Sequence, residues 1–260
     1  MIGTRTNEKI FWNHRAENYP LPFARDPLAK TRRILRILES MGADFKGRRI
    51  LDIGCGAGNY SLPLAARTKY VLGVDSSPAM LKLFRAERRR RRITNAACAL
   101  SRWSDLPADK LRGRFDIALA SMTMAIKSRK DLLKMEAAAI ERCVYIGWAG
   151  LRHNTLMEQV YGAHGLEYRA PSGSETVLAE LRALGRKYTI RFIRDSWDKK
   201  LSPAKTLREI EIGLRVNGVK IKTEWVKGFL KRFMKKNLVK QNTTVRKAVI
   251  TWRVPTDAPR

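Results

Sequence analysis

Two carboxylates and three glycines carry most of the chemistry this sequence can offer. The segment Ile50-Leu51-Asp52-Ile53-Gly54-Cys55-Gly56-Ala57-Gly58-Asn59-Tyr60 runs from an apolar stretch into a glycine turn, and a second acid, Asp75, closes the next apolar stretch. A glycine turn between a buried strand and a helix lets a ligand approach the backbone closely. It meets that ligand with free amide N–H groups at the helix start. Several nucleotides use this geometry, so spacing has to discriminate. A dinucleotide fingerprint, GxGxxG, wants glycine at position 59, where this chain has Asn59; a P-loop wants Gly-Lys-Ser/Thr, which is absent. The cysteines, Cys55, Cys98 and Cys143, form no CxxC pair. That excludes a Cys-rich zinc site or a disulfide framework and suits a reducing compartment.

The elements that position these residues alternate. Residues 28–41 place Ile34, Leu35, Ile37, Leu38 and Met41 at helical spacing, with Gly42 as a stop. Strands are expected at 49–53, 70–74, 93–100, 115–121 and 143–148, with helices at 59–67, 77–91, 130–140 and 174–184, and final strands at 188–194 and 244–254. Strands alternating with helices of this length give βαβ units. The fold class is therefore α/β: a Rossmann-like, doubly wound, mostly parallel seven-stranded sheet with helices on both faces. The expected organisation is one domain, residues 1–260, with an N-terminal helical cap at 1–45 and a cofactor-binding core at 46–195 and 240–255. A helical insertion at 196–239 precedes the last strand and holds two basic amphipathic segments, 203–217 and 223–236.

Composition bounds the rest. With 260 residues, 44% of them hydrophobic, the chain has the material for a proper core. Its opening, MIGTRTNEKIFWNHR, has no apolar h-region, and no apolar run approaches about 18 residues, so neither a secretory signal nor a transmembrane segment is expected and the location is cytoplasmic. Fifty-three Lys and Arg against 24 acids give a net charge of +29. A field of that size attracts RNA, DNA, acidic lipid surfaces or anionic small molecules, but it describes partners rather than a reaction.

The DxGxGxG pattern at Asp52–Gly58, followed by Asp75, resembles the class I S-adenosylmethionine-dependent methyltransferases (the methyltransferase type 11-like group). LDIGCGAGNYSLPLA and VLGVDSSPAML are its most specific parts, FDIALAS at 115–121 stands where the family's fourth strand belongs, and FWNHRAENY is similar to its N-terminal helix. The resemblance implies S-adenosylmethionine as cofactor. It gives Asp52 the methionine ammonium side and Gly54, Cys55, Gly56 and Gly58 the close backbone approach. Asp75 takes both ribose hydroxyls, Ser76 and Met80 the adenine side, and Ser121 and Met122 the methyl group. The family's acidic adenine residue after the third strand is replaced by Arg102, leaving backbone atoms, Trp103 or Asp105 for that task.

The acceptor is read by elimination. No Asn/Asp-Pro-Pro-Tyr/Phe follows the fourth strand; the segment is Ser121-Met122-Thr123-Met124-Ala125-Ile126. Cys143 opens a buried strand and reads as a core hydrophobe. No acidic cluster suggests a metal. A simple cofactor core with an apolar loop and an aromatic cap resembles enzymes acting on small or medium-sized molecules, anionic ones included. Phe11, Trp12, Tyr19 and Met122 are the substrate-side candidates, and His153 is a candidate general base, with His14 a more remote one. The alternative is an RNA methyltransferase that uses basic patches at 85–92 and 220–236, where Trp225, Phe229 and Phe233 interleave as core or base-stacking groups. A non-catalytic S-adenosylmethionine-binding protein is the third class. Oligomeric state is not legible.

Overall fold

The computed structural model describes residues 5–171 and 173–255. In chain order the elements are α1 (Arg5–Ala16), α2 (Arg25–Ser40), β1 (Arg49–Ile53), α3 (Ser61–Ala65), β2 (Tyr70–Asp75), α4 (Pro78–Arg90), β3 (Ala96–Leu100), β4 (Phe115–Ser121), α5 (Arg129–Ala138) and β5 (Ala139–His153). They continue with α6 (Thr155–Ala163), α7 (Gly173–Ala183), β6 (Tyr188–Leu201), α8 (Pro203–Val216), α9 (Thr223–Leu230), a 3-10 turn, β7 (Met234–Lys235) and β8 (Leu238–Arg253). Seven strands run in the order β3-β2-β1-β4-β5-β8-β6, and the two-residue β7 pairs with β8. The β1–β2, β1–β4, β2–β3 and β4–β5 pairs are parallel, as the alternating pattern implies.

The described chain forms two compact units. Of the described residues, the larger one comprises 12–147, 173–192 and 248–255. Its central strands read as near-continuous apolar runs because both faces are covered: β1 and β4 bury Ile50, Leu51, Ile53, Ile117, Ala118, Leu119 and Ala120. Helix α2 turns Ile34, Leu35 and Leu38 inward and stops where Gly42 takes a φ of +86°. Helix α4 starts on Ser77, whose side chain accepts from the Met80 N–H, with Pro78 at its first position. The buried Glu136 of α5 accepts two guanidinium bonds from Arg186 at 3.0 Å each and one from the Trp252 indole at 2.8 Å. That closes the electrostatics of the one buried carboxylate in this corner of the core.

Of the described residues, the smaller unit comprises 5–11, 148–171 and 193–247. Leu156 and Val160 of α6, Ile210 and Leu214 of α8, Val226 and Phe229 of α9 and Val239 of β8 form its core. Asn154 caps α6 and donates to Gln241 and Thr243. Gly213 of α8 is needed because a Cβ there would lie 2.6 Å from the Tyr161 hydroxyl.

Three strands are longer than their apolar runs, and one helix has no counterpart in the sequence reading. β5, β6 and β8 run beyond 143–148, 188–194 and 244–254, β6 and β8 through mostly polar residues. α6 was hidden because it buries only Leu156 and Val160. No described helix is long and apolar enough to cross a membrane.

Candidate active site

The candidate site lies in the larger unit, at the carboxyl ends of β1, β2 and β4. Asp52 is 2% exposed, on the last turn of β1's pleat before the glycines. Ser61, the first residue of α3, donates its hydroxyl to the Asp52 carboxylate at 2.5 Å. Burial pushes the Asp52 carboxyl up to about 7; the Ser61 hydrogen bond opposes the shift and the charge of Asp75 adds to it.

The turn itself requires its glycines. Gly54, Gly56 and Gly58 all have positive φ, +72°, +54° and +87°. A Cβ on Gly54 would lie 2.1 Å from the Thr123 hydroxyl, and one on Gly58 would strike Phe84 and Leu62 at 2.7 and 2.8 Å. Gly56 is different: the nearest atom to a Cβ there is the Tyr19 hydroxyl, at 3.8 Å, so this glycine faces open space. The Gly54 and Cys55 amides are tied to the Val74 carbonyl at 2.7 and 3.1 Å, which fixes the turn against β2.

Asp75 ends β2 and is held from both sides. One carboxylate oxygen accepts from the Gly56 N–H and the other from the Ser77 N–H, each at 2.8 Å. Its carboxyl is nevertheless pushed up by burial, against those backbone hydrogen bonds. Each oxygen keeps a further lone pair, so the carboxylate can still accept from a ligand.

The fourth strand closes the site. Ser121 ends β4 with its hydroxyl buried and without a hydrogen bond among the described residues. Met122 has a φ of +50°, a costly backbone state for a side chain of its size, and its N–H is anchored to the Ile146 carbonyl at 2.7 Å. Thr123 then packs on Gly54 and accepts from the Ala125 N–H.

Tyr19 reaches the site from the N-terminal segment. Burial raises its hydroxyl pKa; the nearby Arg15 charge opposes this and Asp75 and Asp52 add to it. Asn59, which breaks the dinucleotide fingerprint, donates to the Pro20 carbonyl at 3.2 Å and so ties this segment to the glycine turn. Thr31 of α2 donates to the Asn59 carbonyl at 3.1 Å.

Asp52, Gly54, Cys55, Gly56, Gly58, Asp75, Tyr19 and the 121–123 loop thus come together. Ser76 is exposed beside Asp75, whereas Met80 is buried in the core under it. Trp103 is also buried; its indole donates to the Asp131 carbonyl at 3.2 Å and Lys134 sits over its ring at 4.6 Å. Trp12 is half-buried in this unit. Phe11 and His153 belong to the smaller unit, where His153 is exposed and its Nδ1 lies 2.8 Å from Glu158. His14 is half-buried, 3.6 Å from Glu17. Four residues take places at the site that the sequence did not assign to them: Ser61, Asn59, Thr123 and Leu100. Leu100, register partner of Asp75 at the end of β3, is 54% exposed, an apolar surface beside the second carboxylate.

Two of the three thiols, Cys55 and Cys143, are buried. Cys143 is wholly buried with its sulfur 3.8 Å from the Met135 carbonyl, and burial pushes its thiol well above the ordinary range. Cys55 is pushed the same way by burial and by the charges of Asp52 and Asp75. Among the described residues no cluster of His, Cys, Asp and Glu could hold a metal ion.

Comparison with known proteins agrees with this geometry. Residues 50–143 match the family of the methyltransferase domain. A 23S rRNA (uracil(1939)-C(5))-methyltransferase of Xylella fastidiosa is 36% identical over 121 residues, covering 44% of this chain but 26% of that protein. The chain thus spans about a quarter of the length of such curated relatives. Among solved structures, magnesium protoporphyrin IX methyltransferase from Synechocystis, with SAH bound, superposes with a TM-score of 0.56 at 12% identity, covering 96% of this chain and all of that one. The YcgJ protein of Bacillus subtilis gives 0.54 at 14% identity over 85% of this chain and 97% of its own. At such identities the likeness is one of fold, and the fold, the glycine turn and the matched residues agree. Residues 50–143 thus match a methyltransferase domain, carried on the fold that this chain shares with solved methyltransferases.

Proposed function

We propose that the protein transfers a methyl group from S-adenosylmethionine to a small or medium-sized acceptor, anionic acceptors included. The observation that carries this reading is the pair of carboxylates, buried Asp52 and half-buried Asp75, flanking a glycine turn that opens at Gly56. When bound, the cofactor supplies a sulfonium methyl that an acceptor lone pair displaces, the carbon–sulfur bond breaking to leave a neutral thioether.

The residues present fit that group. Asp75 keeps acceptor capacity for two ribose hydroxyls after binding the Gly56 and Ser77 amides. Asp52, carrying a proton near neutrality because it is buried, becomes a good counter-ion when an ammonium approaches. The unpartnered Ser121 hydroxyl gains a partner from the amino-acid end of the cofactor or from the acceptor. Leu100 and Ser76 offer an adenine side next to Asp75. Tyr19, Trp12 and Met122 form the acceptor side. Holding the acceptor close and in line supplies much of the acceleration in such a displacement, so a dedicated base is optional.

RNA is the second reading. It is favoured by the rRNA methyltransferases among the curated relatives and by the exposed Trp225 amid basic residues. Attack by a thiolate on a pyrimidine carbon does not suit the buried Cys143 and Cys55. The test is incubation with methyl-labelled S-adenosylmethionine and host extract, separated afterwards into RNA, protein and small molecules. Label in small molecules supports the first reading, label in RNA the second, and label in neither RNA nor small molecules overturns both.

A further inference from the structure

In the smaller unit, helices α6 and α9 flank a surface groove of about 640 Å³. Gln159, Gly162, Glu224, Trp225, Gly228 and Arg232 are among its walls. Three features show that the groove is kept open rather than left over. Gly228 lies inside α9 and Gly162 in the last turn of α6, both without positive φ, and a Cβ on either would meet nothing within 4 Å. Neither backbone conformation nor internal packing therefore asks for glycine, which costs a helix interior about 1 kcal/mol relative to alanine. Both glycines nevertheless face the same groove.

The second feature is Trp225. It stacks on Phe229 with ring centroids 4.9 Å apart and planes 9° from parallel, and it is still 43% exposed. Phe229 is buried in the unit's core, so the indole is a rigid platform resting on a fixed ring. The third is charge. Arg232 stands over the Phe229 ring at 5.6 Å, and the exposed Lys231, Lys235 and Lys236 make no ion pair among the described residues. Residues 220–240 hold eight Lys or Arg and a single acid, Glu224.

We infer that this groove binds single-stranded RNA, with an unstacked base laid on Trp225 and the flanking phosphates held by Arg232 and the lysines that follow it. An aromatic platform amid basic side chains is how single strands are held, and loops of RNA present the unstacked bases it needs. Glu224 and Gln159 add acceptors and a donor for base edges. A membrane is a poor occupant: the other apolar residues of α9, Val226, Phe229 and Leu230, are turned into the core, leaving one exposed aromatic and no apolar face to insert. The inference concerns binding and holds whether RNA is the methyl acceptor or only brings the enzyme to its place of action.

The test is fluorescence anisotropy of a labelled 12-nucleotide single-stranded RNA with the full chain. Wild type is expected to bind with an affinity that falls steeply with salt. Trp225→Ala should weaken binding at least about fivefold, the lower end of stacking on an aromatic. Gly228→Gln should weaken it as well without lowering the melting temperature, since it fills the groove and improves the helix. Both variants should bind S-adenosylhomocysteine like wild type, and Asp75→Ala should lose that ligand while keeping RNA. RNA binding and cofactor binding thus fail separately. Absence of RNA binding, unchanged affinity in either groove variant, tighter binding of the matching DNA strand, or displacement of RNA by phosphatidylserine-containing vesicles would each overturn the inference.

Discussion

Replacing Asp52 by Asn separates the stability of the site from its use. In the unfolded chain this carboxyl ionises near 3.8, whereas burial raises it to about 7 in the folded protein. Between those values the folded state holds a proton that the unfolded state has released. Stability therefore falls as pH rises through that window, by about 1.4 kcal/mol per unit, and the full cost near pH 8 is about 4 kcal/mol. Asn keeps the shape of the side chain and can still accept the Ser61 hydroxyl, but it never ionises. Without cofactor, Asp52→Asn should match wild type near pH 4 and exceed it at pH 8 by up to about 4 kcal/mol, several degrees in melting temperature for a chain of this size. Function should move the other way. An ammonium needs the ionised carboxylate, so wild-type affinity for S-adenosylhomocysteine should drop about tenfold from pH 8 to pH 6, while the variant binds weakly with little pH dependence over that range. Thermal unfolding across pH and calorimetric titration at two pH values read both effects. Parallel stability curves for the two proteins from pH 4 to 8, or undiminished binding by the variant, would refute the reasoning.

Arg186→Ala should cost about 3 kcal/mol, because it leaves the buried Glu136 with only the Trp252 indole as a donor. The double change Glu136→Met with Arg186→Met should recover most of that loss in chemical denaturation; an equally damaged double variant would count against it. Gly54→Ala should destabilise by more than Gly113→Ala, since both have positive φ but only the former meets a side chain, the Thr123 hydroxyl 2.1 Å from its Cβ. Equal melting temperatures for these two variants would show that Thr123 yields without cost. Asn59→Ala should weaken cofactor binding modestly by freeing the segment that carries Tyr19 from the glycine turn; titration with S-adenosylhomocysteine checks it, and unchanged affinity would remove the segment from the site.

The glycine turn and its two flanking carboxylates were legible because they are local. A five-residue apolar strand, a glycine turn and a helix start lie within about a dozen residues, and Asp75 ends the next apolar run, so spacing marked these residues and the resemblance to a methyltransferase family suggested their roles. What stayed hidden depends on contacts between distant segments. Thr123 matters only because β4 parallels β1, which sets its hydroxyl against Gly54. Asn59 looked like a broken fingerprint until its amide was found on the Pro20 carbonyl. Leu100 is an ordinary strand residue except that the register places it beside Asp75. Periodicity also understated strands whose polar residues extend them without burial, as in the outer parts of β6 and β8. The interleaved aromatics of α9 illustrate the same limit: identical spacing made Phe229 a core residue and Trp225 an exposed platform, and only packing tells them apart.

The central claim is that Asp52, the glycine turn and Asp75 hold an adenosyl-amino-acid cofactor, and calorimetric titration of S-adenosylhomocysteine into wild type and Asp75→Ala tests it most directly. Saturable one-to-one binding by wild type, weakened at least about tenfold when the two ribose hydroxyls lose their charged acceptor, is the expected result. No binding by wild type, or equal affinity in the variant, would contradict the placement of the site.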